Sequence, residues 1–370
     1  MRKTALLFAM MLVALLLAGG VAFAAPIESD RVPQTNGRVW AIVVSGDTVY
    51  IGGSFTRVGG VPRSGLAAID ATDGSLLPWN PEANGHVRAL AAAGSTIYAG
   101  GNFTRVGGSA HSRLAAISAT SGAVDDSWKP SADLEVFSLR VMGDRLYVGG
   151  KFRVVNGSTR SNLAALERSS GRLTNWNPKA NGNIRTLVPS PNGSRIYAGG
   201  NFSRISGKPR PNLAALDPRT GAVLGWTPDP RVDNDYEVFD LEVTNRRVHV
   251  AGGGRNPDGT AESFAAAGGA SVWRIESNGD FQAVALLKGK LYFGGHFTKL
   301  SYPGREVRRN KLLAVDANSG ALNARWQPKA LGGGIWAMVP DPAHGRIYAG
   351  GAFTSISGQP QQGLAKLPPR

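Results

Sequence analysis

The chain has 370 residues, with 41 Lys and Arg against 26 Asp and Glu for a formal net charge of +15, 49 glycines, 22 prolines and no cysteine. Without cysteine there is neither a disulfide framework nor a lipid-bearing cysteine at a processing site, so an exported chain of this kind must rely on a large core or on topological closure. The basic balance suits anionic partners and surfaces, although it also serves plain solubility.

The first 24 residues open with Arg2 and Lys3, run apolar from Ala5 to Leu17 and end in Ala22-Phe23-Ala24. That order of charge, apolar run and small-x-small site predicts a secretory signal peptide over residues 1–24, cleaved before Ala25. A membrane span fits less well, because Gly19-Gly20 interrupts a short apolar stretch. No later stretch reaches the ~20 apolar residues a span needs. The mature protein is therefore expected to be secreted or extracytoplasmic, with no membrane insertion.

From residue 38 onward one unit repeats. An apolar-aromatic strand ending in Gly-Gly occurs at Val49 to Gly53, Ile97 to Gly101, Leu146 to Gly150, Ile196 to Gly200, Val248 to Gly253, Leu291 to Gly295 and Ile347 to Gly351. Successive first glycines lie 48, 49, 50, 53, 42 and 56 residues apart, the length of four short antiparallel strands with their turns. Strand a alternates, as in Val87-Arg88-Ala89-Leu90; strand b carries the Gly-Gly, usually followed by Phe; strand c is Leu-Ala-Ala-Ile/Leu; strand d ends near a Trp. Period-two patterning between Gly, Asn, Asp and Pro clusters marks strands, and no segment has helical periodicity. The prediction is an all-β, seven-bladed β-propeller of four-stranded antiparallel blades spanning residues 25–370, with blades starting near residues 38, 86, 135, 184, 237, 282 and 335. Glycines near the axis should let neighbouring backbones approach. Phe55, Phe103, Phe152, Phe202, Phe297 and Phe353, and tryptophans 79, 128, 176, 226, 273 and 326, should pack between blades.

The last unit stops before its strand d. Arg31 to Gly37 aligns without gaps on Trp79 to Gly85, so residues 27–33 should complete the last blade and fasten the ring. Unit five departs from the pattern: Gly252-Gly253-Gly254-Arg255 lacks the Phe, and Asn256-Pro257-Asp258-Gly259 opens a different b-to-c connection.

The segments Leu213 to Trp226 and Ala67 to Trp79 resemble the A-x-D-x-x-T-G-x-x-x-W repeat of quinoprotein-type (PQQ-like) propellers. With Gly-Gly-x-Phe-Thr-x-Val-Gly-Gly added, the repeat is still more similar to the delta-60 repeat of exported bacterial propellers and to the propeller of fungal cortical polarity-marker proteins. The resemblance spans nearly all of residues 27–367. It implies the fold and little about the task, since such propellers host unrelated functions. Quinoprotein dehydrogenases use eight blades, a calcium site beside the quinone, a catalytic Asp and commonly a vicinal cysteine pair; seven units and no cysteine depart from that.

No catalytic constellation stands out. The five histidines fall in different units without zinc-ligand spacing, and Gly-Gly is followed by no phosphate-loop context. Asp229, Asp233, Asp235 and Glu237 form an acidic cluster between units four and five that could gather oxygens for calcium, the one cofactor considered; the alternative is a solvated loop neutralising Arg231, Arg246 and Arg247. Three residues before strand c, or its equivalent, stand Arg63, His111, Arg160, Arg210, Arg309 and Gln361, and two after the Phe stand Arg57, Arg105, Arg204 and Lys299. In a four-stranded blade the b-to-c and d-to-a turns share one face, which these side chains would crown with positive charge. The alternative is that each Arg pins its own loop. The preferred reading is a non-enzymatic binding or scaffold propeller, monomeric, presenting that face to a protein or to an anionic polysaccharide or other cell-envelope polymer, and not to nucleic acid. Its rival is an enzyme, a quinoprotein-like oxidoreductase or a hydrolase or lyase, working in the axial channel.

Overall fold

The structure, a computed structural model, describes residues 32–229, 236–254, 259–302 and 304–369. The expected leader and residues 27–31 of the closing strand lie outside these residues, as do Asp233 and Asp235.

Among the described residues there is no helix, and seven consecutive units each pair three antiparallel strands in the order a, b, c. Strand a is Val39–Ser45, Val87–Ala93, Val136–Met142, Ile184–Pro189, Glu237–Val243, Phe281–Leu287 and Ala330–Asp341; strand b is Thr48–Gly53, Thr96–Gly101, Arg145–Gly150, Ile196–Gly200, Arg247–Gly253, Lys290–Gly295 and Arg346–Ile356. Strand c is Leu66–Asp70, Leu114–Ser118, Leu163–Glu167, Leu213–Leu216, Gly259–Ala265, Leu312–Asp316 and Leu364–Leu367.

The fourth strand is less than the repeat suggested. In five units strand d shrinks to a single bridge, Ile69↔Leu76, Ile117↔Val124, Leu166↔Leu173, Leu216↔Val223 and Val315↔Leu322. A tight turn with glycine in the left-handed region (Gly74, Gly122, Gly171, Gly221, Gly320) leaves few residues before the Trp, whose indole leaves its own sheet for the next one. Trp79, Trp128, Trp176 and Trp226 donate Nε1 to Ser118, Arg168, Asp217 and Ala265 carbonyls of the following unit, at 2.8–3.1 Å. Among the described residues, only unit five, where Trp273 sits within a paired strand, Ser271–Ser277, has a full strand d. The tryptophans are inter-unit core, as expected, and meet Tyr50, Tyr98, Tyr147, Tyr197 and Tyr292 of strand b at centroid distances of 4.9–5.2 Å.

Gly-Gly has two separate jobs. A Cβ on the first glycine would strike the β-branched residue opening the next strand a: Val87 from Gly52, Val136 from Gly100 and Ile184 from Gly149, at 2.6–2.7 Å. A Cβ on the second would strike a carbonyl of its own unit, Arg38 for Gly53 and His86 for Gly101. That carbonyl lies just ahead of a β-bulge present in every strand a, where one residue is skipped in the pairing: Val39 to Ala41, Val87 to Ala89, Val136 to Ser138, Ile184 to Thr186, Val238 to Asp240, Phe281 to Ala283 and Ile335 to Ala337.

Contacts at the two ends of the series repeat those within it. Strand a of each unit packs on the next, and that of the last also packs on Val39–Ser45. A Cβ on Gly350 would meet Val39 Cγ1 at 2.7 Å, as one on Gly52 meets Val87. Thr35 N donates to Gln362 O (3.1 Å), the counterpart of Ala83 N to Ser64 O (2.8 Å), and Gln361 Nε2 donates to Val32 O (3.1 Å).

Candidate functional site

The d-to-a connections are tied to the following b-to-c hairpins by one recurring side chain. Asn36 Oδ1 accepts from Thr56 N and Arg57 N in unit one, and Asn84, Asp133, Asn181 and Asn278 do the same in units two, three, four and six. These bonds, 2.8–3.0 Å long, build one continuous face from both kinds of turn.

The arginines expected to crown that face are engaged with backbone. Arg63 donates Nη1 to Pro62 O (2.8 Å) and Nη2 to Leu77 O (3.0 Å); Arg160 repeats this with Thr159 O (2.9 Å) and Thr174 O (3.0 Å). Arg210 donates to Pro209 O and Arg309 to Arg308 O, both at 2.8 Å. Arg309 is buried, and burial followed by the Arg305 charge lowers its pKa. His111 is buried too, with Nε2 3.3 Å from Asp126 Oδ1. In the second set Arg57, Arg105 and Arg204 stay exposed while each donates to the carbonyl three residues on, Gly60, Gly108 and Gly207. The members of both sets sit on separate hairpins, at most one of each set per unit, and do not converge. Of the acidic cluster, Glu237 is paired with Arg185, Nε to Oε1 at 2.6 Å, and Asp229 is exposed.

What does converge is the bulge residue of every strand a. Trp40, Arg88, Phe137, Arg185, Phe239, Gln282 and Trp336 line a cavity of about 340 Å3. Each is the residue skipped at the bulge, at the end where strand b reaches its Gly-Gly, so the cavity opens on the face described above. Trp40 and Trp336 stack at 4.3 Å between centroids; the Arg88 guanidinium lies 3.9 Å over Trp40, and that of Arg185 4.5 Å over Phe137. Glu135 holds Arg88 (Nε to Oε1, 2.8 Å) as Glu237 holds Arg185. Arg38, exposed, stands 5.6 and 5.4 Å from the Trp40 and Trp336 rings and has no carboxylate partner among the described residues. Two buried polar atoms here have no partner among the described residues, Trp40 Nε1 and Gln282 Oε1.

Beneath the mouth a smaller space of about 140 Å3 is walled by Ala41, Ala89 and Ala337 and by Ser138, Thr186 and Asp240. The polar residues among them staple neighbouring inner strands: Ser138 Oγ accepts from Leu187 N (3.0 Å) and Asp240 Oδ2 from Val284 N (3.0 Å). Burial raises the Asp240 pKa. Two residues on, burial and then the Asp240 charge push Glu242 up to about 8, against the pull of Arg140. Ile42, Leu90, Met338 and Val339 also line this space, and Arg140 and Asp240 bring charge to it.

Residues 345–369 match a family model described as a domain of unknown function (DUF5122) beta-propeller. Two solved structures are similar along most of the chain. The β-propeller domain of Myceliophteria thermophila Cps50 (Swd1) has TM-score 0.57 and 9% identity, covering 93% of this chain and 100% of that one. The computationally designed Ika8 protein has TM-score 0.55 and 10% identity, covering 92% and 100%. The fold is a β-propeller. No curated protein matches the sequence. Identities near a tenth carry the fold alone.

The mouth residues were missed in the sequence because plain alternation sends each of them onto a blade face. A bulge re-aims it toward the axis. The available signal was the Gly-Gly pair opposite, whose missing side chain makes room for the carbonyl just ahead of the bulge, together with seven aligned units in which the residue two places before the Ala, Ser, Thr or Asp position of strand a is followed by a bulky one in every copy.

Proposed function

We propose that the protein is an exported, non-enzymatic binding propeller of seven blades, closed into a ring by its N-terminal residues and acting as a monomer. Its d-to-a and b-to-c turn face meets an anionic macromolecule of the cell envelope. One observation carries the reading: the bulges of all seven units deliver aromatic, guanidinium and amide side chains to a single cavity on that face. The net charge, +15 for the whole chain and +13 once Arg2 and Lys3 leave with the leader, and the exposed Arg57, Arg105 and Arg204 supply attraction at range.

The experiment is retention of the mature chain on immobilised acidic polysaccharide against a neutral polymer of equal mass. Retention at low salt should fade as the Debye length falls from ~30 Å at 0.01 M to ~8 Å at 0.15 M. Arg57→Gln, Arg105→Gln and Arg204→Gln together should elute it earlier with little change in melting, since exposed charges contribute at most about 1 kcal/mol each. Equal retention on both polymers would sink the anionic-partner reading.

An enzyme working in the channel has one observation behind it, a carboxyl at Glu242 that keeps its proton near neutral pH beside Asp240 and Arg140. Asp240 speaks against it, because its oxygens are occupied by Val284 N, Leu241 N and Thr186 Oγ1. Turnover of any glycan lost in Glu242→Gln with binding unchanged would favour the enzyme.

A further inference from the structure

We infer that the axial mouth is a pocket for one acidic sugar residue, the end of a uronate-bearing polysaccharide chain; this rests on the binding reading above. The unpartnered groups define the ligand. Among the described residues Trp40 Nε1 is a buried donor without an acceptor, and the Arg38 guanidinium, without a carboxylate there, stands beside the paired tryptophans. Both call for a ligand carboxylate or ring oxygen. Gln282 Oε1 is a buried acceptor without a donor among the described residues, which calls for a ligand hydroxyl. Phe137 and Phe239 supply apolar wall to cover the C–H face of a ring.

Carboxylate, hydroxyl and apolar ring face together describe a sugar acid. A neutral sugar leaves the guanidinium unanswered, and a simple inorganic anion leaves both Gln282 and the aromatic wall unused. Arg88 and Arg185 serve as walls, since Glu135 and Glu237 neutralise them and hold their planes against Trp40 and Phe137. A volume of about 340 Å3 lies at the lower end for ligand pockets. Residues from every unit surround it, so a chain enters end-on and does not lie across.

Two tryptophans at the mouth give the readout. Titrating the mature chain with glucuronate- or galacturonate-terminated disaccharides should change tryptophan fluorescence saturably, and calorimetry should give the same affinity. A matched neutral disaccharide should bind at least tenfold more weakly, and inorganic sulfate at equal ionic strength should not compete. Arg38→Gln and Gln282→Leu should each weaken the uronate about tenfold while melting as wild type does; Arg38 is exposed, so the first variant tests the pocket without threatening the fold. Uronate and neutral sugar bound equally, or no saturable signal, overturns the pocket. Tighter binding of a short peptide through its free C-terminus overturns the sugar assignment. Retention on acidic polymer that survives while uronate binding fails would leave the binding face standing and remove only this inference.

Discussion

At the scale of single residues the most informative departure is His249. Strand b places Tyr50, Tyr98, Tyr147, Tyr197, Tyr292 and Tyr348 at this position in the other six units, and the hydroxyls of Tyr50, Tyr98 and Tyr147 donate across to Ala119, Arg168 and Pro218 carbonyls at 2.7–3.1 Å. His249 stacks on Trp273 at 6.0 Å, is 1% exposed, and leaves both ring nitrogens without partners among the described residues, beside a cavity of about 320 Å3 that reaches Ala317. Restoring the repeat with His249→Tyr should remove the two unpartnered ring nitrogens, return a hydroxyl that can reach a carbonyl of the next unit, and stabilise by about 1 kcal/mol. Burial, then Arg247, lowers the imidazole pKa from 6.5 to about 4. Above 6.5 both folded and unfolded chains hold it neutral; between 6.5 and about 4 only the unfolded chain takes the proton, so stability falls as pH drops through that window. The variant's advantage in melting temperature should therefore widen from neutral pH toward pH 4.5, and a constant gap would contradict the assignment. Glu242 runs the other way. Its folded pKa is raised from 4.5 to about 8, so stability is full below 4.5 and is lost as pH rises toward 8. Glu242→Gln should raise the urea midpoint near pH 8 and leave it nearly unchanged near pH 4.5.

At the scale of elements, the inner strands carry both the packing and the site. Gly100 and Gly149 abut β-branched residues of the next blade, so Gly→Ala at either should cost about 1–3 kcal/mol through overpacking. Gly53 and Gly101 abut carbonyls just ahead of the bulges, and alanine there should also disturb Trp40 or Arg88 at the mouth. The two classes are separable: both lower the urea midpoint, but only the second should shift tryptophan emission in the folded state. The hairpin arginines form another repeated element. Arg63 and Arg160 each join the b-to-c turn to the d segment of their own blade, and Gln at either should cost about 1–2 kcal/mol, charged hydrogen-bond donors being worth more than neutral ones. Unchanged stability in Arg63→Gln would show that the guanidinium is free for a partner. This positional repeat was legible in the sequence; its use was not, because a charge three residues before strand c is the same letter whether it faces water or a carbonyl.

For the whole molecule the prediction concerns how the two ends meet. Val32 and Thr35 bond Gln361 and Gln362 of the last unit, and Gln34 Nε2 lies 3.4 Å from Pro360 O. Removing residues 25–33 should lower the melting temperature sharply, because the last unit would lose the bond from Gln361 Nε2 to Val32 O and the Val32 side chain, which is buried in the same core cluster as Leu364. The matched control removes only Pro369 and Arg370. Pro368 must stay, since its carbonyl accepts from Trp326 Nε1 at 3.0 Å. Equal melting of the two truncations would mean that the contacts at the ends do not fasten the fold.

The repeat, its count of Gly-Gly strands, the inter-blade tryptophans and the altered fifth unit were all determined by the sequence, because each depends on residue type at a fixed spacing. Even the partnership of residues 32–35 with the last unit followed from aligning one segment on another. Three things were decided only in the tertiary structure. Strand d is reduced to one bridge in five units, since the Trp leaves its own sheet for the next. Hairpin arginines turn back on their own loops, since an unpaired carbonyl lies within reach. The axial mouth exists because a bulge redirects one residue per blade, a change of direction invisible to a period-two reading, and because residues about 50 positions apart become neighbours only when the strands gather around one axis.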